Sequence, residues 1–87
     1  MLHELKIKSR FYWDIYSRRK SFEIRNNDRN FRVGDVLRLK VIDPEPDMIP
    51  PRLDCYVTYV LYHKDFPDGI APGYCVMGIR VMGRVKE

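Results

Sequence analysis

Apolar and polar side chains alternate along residues 3–8, with Leu5 and Ile7 on one parity and Glu4, Lys6 and Lys8 on the other. That period of two predicts a half-buried strand. Ser9 then stands where a side-chain cap would start a helix over residues 10–18. Phe11/Ile15 and Tyr12/Tyr16 are i,i+4 apolar pairs on that helix, and Arg18, Arg19 and Lys20 suit its C-terminal dipole. Two to three turns are unstable alone, so the helix must lie on a sheet. Alternation resumes over residues 21–26, which sends Phe22 and Ile24 to the core and Ser21, Glu23 and Arg25 away from it. Residues 26–30 are a polar turn. Val33-Gly34-Asp35 is a second turn, leading into a strand over residues 36–42. Four prolines (Pro44, Pro46, Pro50, Pro51) make residues 43–51 a loop. Residues 53–62 are apolar or aromatic at both parities and read as a long central strand. A loop over residues 64–73 precedes a last strand over residues 74–81. Short strands joined by turns predict an α+β, mostly β fold: a largely antiparallel, partly closed barrel of five to six strands with one short helix. The core expected from this pattern includes Phe11, Ile15, Phe22 and Tyr59.

At 87 residues the chain is one domain, 1–87, with a small core. Its 45% hydrophobic and 32% charged residues are those of a globular protein rather than a disordered one. No apolar run approaches the roughly 18 residues of a membrane span, and the first residues do not read as a secretory signal. The expectation is a soluble, cytoplasmic domain with no membrane association. Cys55 and Cys75 lack metal-ligand spacing and lie in strand-like runs, so both read as free core thiols, with no metal and no cofactor implied.

Charge is unevenly spread. The chain carries a net +4, and the basic excess lies in residues 1–40, where it suits an anionic partner such as a phosphate backbone. A solvated basic face would have the same composition. Within that half, Lys20, Glu23, Arg25, Asn27, Asp28 and Arg29 gather six polar groups in ten residues, with Glu23 and Arg25 on one side of their strand. Nucleophile elbows, triads and glycine-rich phosphate loops are absent from the sequence. His3 reads as a structural or groove-lining imidazole.

The stretches His3-Glu4-Leu5-Lys6-Ile7, Lys20-Ser21-Phe22-Glu23-Ile24-Arg25, Asn27-Asp28-Arg29, Val33-Gly34-Asp35, Val57-Thr58-Tyr59-Val60 and Gly73-Tyr74-Cys75-Val76 resemble the small ASCH-type domains of the PUA-like superfamily. The nearest pattern is a branch of short proteins with a K-x-F-E-I-R-x-N-D-R motif. The resemblance runs through nearly the whole chain. It implies a PUA-like barrel, a cleft between barrel and helix, and binding of RNA or a nucleotide-like ligand. The same superfamily includes N4-acetylcytidine amidohydrolases, whose catalytic lysine is matched by Lys20. Glu23 stands in the place of that branch's threonine, Arg18 replaces the glycine usual at the helix end, and residues 43–51 replace a polar hairpin.

Two classes of function follow. The first is a module that binds RNA or a nucleoside- or nucleotide-type ligand. Lys6, Lys20, Arg25 and Arg29 would meet phosphate, Glu23 and Asn27 would hydrogen-bond a base edge, and Asp28 belongs to the same ligand-binding set. The alternative is a small amidohydrolase-like enzyme acting on a modified nucleoside, with Glu23 as general base and Lys20 as electrostatic stabiliser. A protein-interaction domain is a third class, whose mark would be a large exposed apolar patch.

Overall fold

A computed structural model describes residues 1–83 of the chain. Five strands, β1 (Leu2–Ile7), β2 (Phe22–Asn26), β3 (Val36–Val41), β4 (Leu53–Tyr62) and β5 (Tyr74–Val81), form one sheet in the order β1-β3-β4-β5-β2. Only β1 and β3 are parallel; the other three pairings are antiparallel. Helix α1 (Ser9–Tyr16) begins the crossover from β1, and a single short 3-10 turn (His63–Asp65) follows β4. The sheet curls into a half-barrel that wraps the core. The long strand β4 is central, as its two-sided apolar pattern predicts, and no described helix is long and apolar enough to cross a membrane.

The interior is lined by Leu5 and Ile7 of β1, Leu37 and Leu39 of β3, Leu53, Cys55 and Val57 of β4, and Cys75, Met77 and Ile79 of β5. Tyr12 and Ile15 close it from α1, and Phe31 from the loop before β3. Both cysteines are buried and free. Although β4 and β5 are neighbours, Cys55 pairs with Val81 and Cys75 with Tyr62, so the thiols lie far apart along the ladder.

Four features depart from the sequence pattern. The face of β2 is reversed: Glu23 is buried, while Phe22 and Ile24 are 45% and 58% exposed. Register explains this, since Glu23 and Arg25 stand opposite the buried Met77 and Cys75, whereas Phe22 and Ile24 stand opposite Gly78 and Val76 on the outer face. Tyr59 is likewise outside the core, because an irregularity between Val57 and Tyr59 inserts a residue and shifts the parity of β4. Phe11 is also on the surface side of α1, so of the four expected core residues only Ile15 is buried. Ser9 is not the cap: Lys8 takes that place, and the Ser9 backbone N–H donates to Asp43 Oδ1 at 2.6 Å. Residues 17–19 end the helix in a Schellman turn. The Arg18 N–H donates to the Ile15 carbonyl and the Arg19 N–H to the Asp14 carbonyl, with Arg18 at φ 66°.

Candidate functional site

The two edge strands, β1 and β2, face each other across the open side of the half-barrel. In β1 the ladder to β3 runs through Met1 and Ile7, whose carbonyls accept from Val36 and Ile42. By the alternation of a parallel pair, the carbonyls of Glu4 and Lys6 point the other way, into the seam. Two arginines meet them: Arg25 Nη2 donates to the Lys6 carbonyl at 2.7 Å, and Arg29 Nη1 to the Glu4 carbonyl at 3.1 Å. Side chains from β2 and the turn after it therefore bridge the seam.

Beside that bridge lies a partly buried ion triad centred on the buried Glu23. The turn after α1 returns Lys20 towards β2, where its Nζ donates to Glu23 Oε1 at 2.8 Å and to the Phe22 carbonyl at 2.8 Å. Arg25 Nε donates to Glu23 Oε2, also at 2.8 Å. The side chains of Lys20, Glu23 and Arg25 are 16%, 7% and 23% exposed. Both carboxylate oxygens thus accept from cations at a partly buried site. Charge-assisted pairs of this kind are the strong ones, and they fix orientation. The Lys20 ammonium also sits 4.7 Å from the Phe22 ring centre and 5.3 Å from that of Phe11.

The triad forms part of the wall of an open, mainly apolar pocket of about 480 Å³ at the seam, reached by Lys6 and Lys8 from β1 and its end, and by Phe11 and Phe22. Lys6 and Lys8 have no ion-pair partner among the described residues. Glu23 influences the interior as well: burial first, then the negative charges of Glu23 and Asp54, push the Cys55 thiol up to about 12. That thiol is protonated and inert at neutral pH.

Of the residues singled out by sequence, Lys6, Lys20, Glu23 and Arg25 come together at this pocket. Asn27, Asp28 and Arg29 do not line it. Asn27 holds the following turn, its Oδ1 accepting from the Phe31 N–H at 2.8 Å and its N–H donating to the Gly73 carbonyl. Asp28 is exposed on that turn. Arg29 closes the seam further along. The pattern missed Lys8 as a site residue and assigned Phe11 and Phe22 to the core. Exposed aromatics beside paired cations would have been the signal, but it requires the reversed face of β2. His3 is buried and structural, its Nε2 2.8 Å from Asp35 Oδ2 and its ring edge-on to Phe31. Among the described residues no three His, Cys, Asp or Glu side chains gather to hold a metal ion.

No curated protein matches this chain. A family model described as a domain of unknown function, DUF3850, matches residues 2–79. That span takes in every strand but the last two residues of β5, together with α1 and all the residues of the seam pocket. The chain belongs to the DUF3850 family.

Proposed function

We propose that the seam pocket binds a nucleobase, as part of RNA or of a nucleoside- or nucleotide-type ligand, in the manner of the ASCH-type domains of the PUA-like superfamily. The observation that carries this reading is the buried Glu23 held between Lys20 and Arg25 beside a pocket with two accessible phenyl rings. An oriented carboxylate with spare lone pairs accepts from the amino group of a base, and every base offers a face to stack on an aromatic ring. Lys6 and Lys8, unpaired at the rim, meet the phosphates.

Fluorescence anisotropy with a labelled single-stranded oligoribonucleotide, run over a range of salt, tests it. Phe22→Ala weakens binding by about 1–3 kcal/mol, the worth of one stacked base. Lys6→Gln lowers the slope of log affinity against log salt by about 0.7, the share of one phosphate contact on a single strand. Absence of saturable binding by oligoribonucleotide and by free nucleosides at low salt would refute the reading.

The amidohydrolase-like alternative draws on the same Lys20–Glu23 pair, 2.8 Å apart beside a pocket. Both Glu23 oxygens already accept from cations, so an activated water would have to share one of them through its remaining lone pair. Glu23→Gln separates the two readings. A recognition role predicts a change in affinity of about 1–3 kcal/mol. A general-base role predicts that turnover of N-acylated nucleosides falls about 10²- to 10⁴-fold while binding survives.

A further inference from the structure

A second concavity, of about 510 Å³, lies past the end of β2, where the loop before β3, the end of β4 and the start of β5 meet. It sits at the opposite end of the β4–β5 ladder from Cys55 and Val81. Three bonds tie its segments together. The Asn27 N–H donates to the Gly73 carbonyl at 2.8 Å, the Tyr62 hydroxyl to the Phe31 carbonyl at 2.7 Å, and His63 Nδ1 to the Ile70 carbonyl at 2.6 Å. Its size falls within the range of small-molecule sites, about 300–1,000 Å³.

The groups left open in it are mainly donors. Asn27 Oδ1 accepts from the Phe31 N–H, which leaves its Nδ2 amide to donate. Arg32 is exposed, and neither it nor Lys64 has an ion-pair partner among the described residues. The Lys64 ammonium stands 6.0 Å from the centre of the Tyr62 ring, which is itself part of the wall. Among the described residues no carboxylate lines the hollow, and the nearby Asp65 accepts from the Tyr62 N–H. Tyr74 adds a phenol ring that is 41% exposed. The two pockets also adjoin: Asn26 lines the seam pocket, Asn27 lines this one, and Tyr74 stands opposite Asn26 in the β2–β5 ladder. From Phe22 to Asn26 the strand advances about 13 Å, at 3.2–3.4 Å per residue. One nucleotide does not span that distance; a short strand does.

Building on the nucleobase reading of the seam pocket, we propose that its ligand is a single-stranded RNA segment rather than a free nucleoside, and that this second hollow is the subsite for the adjoining nucleotide. Tyr74 stacks on the second base, Arg32 and Lys64 meet the phosphate, and Asn27 Nδ2 donates to the strand. Rings that take successive bases, flanked by cations that track the backbone, are the usual means of holding a single strand. Asn27, which follows the Lys20–Arg25 stretch in sequence but misses the seam pocket, thereby acts on the same ligand one nucleotide away.

Isothermal titration with each ribonucleoside 5′-monophosphate, and with the 5′-phosphorylated homotrinucleotide of the same base, tests it. For the base bound best, the trinucleotide is expected to bind about tenfold or more tighter than the monophosphate, the worth of one added stacked base. Tyr74→Ala removes most of that gain, and Arg32→Gln lowers the trinucleotide's log–log salt slope by about 0.7. Both variants leave the monophosphate affinity unchanged, whereas Phe22→Ala weakens monophosphate and trinucleotide alike. Arg80→Gln removes the same charge at the far end of β5 and alters neither. The Tyr74 and Arg32 side chains make no hydrogen bond or ion pair among the described residues, so both variants keep the parent's melting temperature. A trinucleotide no tighter than its monophosphate, or one whose affinity and salt slope ignore both substitutions, overturns the subsite while the seam reading stands. Monophosphate binding weakened by Tyr74→Ala as much as trinucleotide binding overturns it too. Failure of nucleosides, monophosphates and trinucleotides alike to bind overturns the seam reading and the subsite together.

Discussion

Replacing Glu23 by alanine leaves the Lys20 ammonium and the Arg25 guanidinium facing each other in a partly buried space. Removing one partner of a buried pair costs about 3–5 kcal/mol. Here the cost is lower, because Lys20 keeps the Phe22 carbonyl and Arg25 the Lys6 carbonyl as acceptors. A loss of about 2–4 kcal/mol is expected. A domain of this size has about 4–13 kcal/mol in all, so the loss is a large fraction of its stability. It appears as a drop of about 10–25 °C in Tm. The triple replacement Lys20→Met, Glu23→Leu, Arg25→Met removes all three charges together and fills the space with apolar side chains. Buried ion networks replaced in this way usually lose little or gain stability. The triple variant is therefore expected within about 2 kcal/mol of the parent in urea denaturation, a margin that allows for the lost Arg25–Lys6 bond. It should no longer bind oligoribonucleotide. Stability as low as that of Glu23→Ala would mean that the triad is there for the fold. Full affinity in the triple variant would detach it from binding altogether.

Three further predictions concern groups outside the pocket. Burial raises both thiols, Cys55 to about 12, so neither reacts with a disulfide reagent in the native protein at neutral pH, and both react in urea; fast native labelling would count against the packing described. The Asp54 carboxyl is held below the usual carboxylate range, chiefly by the Arg38 guanidinium and, against some desolvation, by Arg52 as well. A depressed folded value stabilises above the unfolded pKa of about 3.9 and is lost as pH falls through the folded one; Asp54→Asn should therefore flatten the acid limb of the stability profile, and an unchanged limb would refute the assignment. Burial pushes the Tyr12 phenol up to about 12. A raised value stabilises fully below pH about 10 and is lost as pH rises towards 12, so Tyr12→Phe should reduce the alkaline destabilisation seen by circular dichroism.

The strands were legible wherever one face meets the core and the other meets water. β1, β3 and β5 follow their alternation, and β4 announces its central place by being apolar at both parities. β2 was located but turned over. Phe22 and Ile24 outweigh Glu23 and Arg25 on any hydrophobic scale, yet the ladder to β5 puts the charged pair inside. A carboxylate whose two oxygens are both met by cations is a tolerable interior group, and that compensation cannot be read from one strand at a time. Phe31 illustrates a second limit: it is buried although it lies in a loop, where no period exists to be read. In the site, Lys20, Glu23 and Arg25 are close in sequence, and their convergence was foreseeable. Lys6 was named with them as a phosphate contact, although its approach depends on how far the sheet curls, which no single strand reveals. Asn27, Asp28 and Arg29 continue the same motif in sequence, but the chain turns after β2 and carries them past the pocket.

The cations along the seam fall into two groups with different work. An unpaired strand edge exposes a row of donors and acceptors, and half-barrels must cover it. In this chain Arg25 and Arg29 do so by donating to the Lys6 and Glu4 carbonyls of β1. A phosphate drawing on either arginine meets a guanidinium already oriented by a backbone acceptor, with fewer of its five N–H donors to offer, so those two contribute less to anion binding than their charge implies. Lys6 and Lys8, with no partner to give up, contribute more. Arg29→Ala and Lys6→Gln should therefore behave in opposite ways. The arginine variant loosens the seam: amide hydrogen exchange in β1 and in the turn after β2 speeds up, while the salt dependence of oligoribonucleotide binding stays near that of the parent. The lysine variant leaves exchange unchanged and flattens the salt dependence by about 0.7 in log–log slope. If the two variants flatten that slope equally and neither alters exchange, Arg29 is a phosphate contact rather than a seam closure, and the division of labour drawn from the hydrogen bonds is wrong.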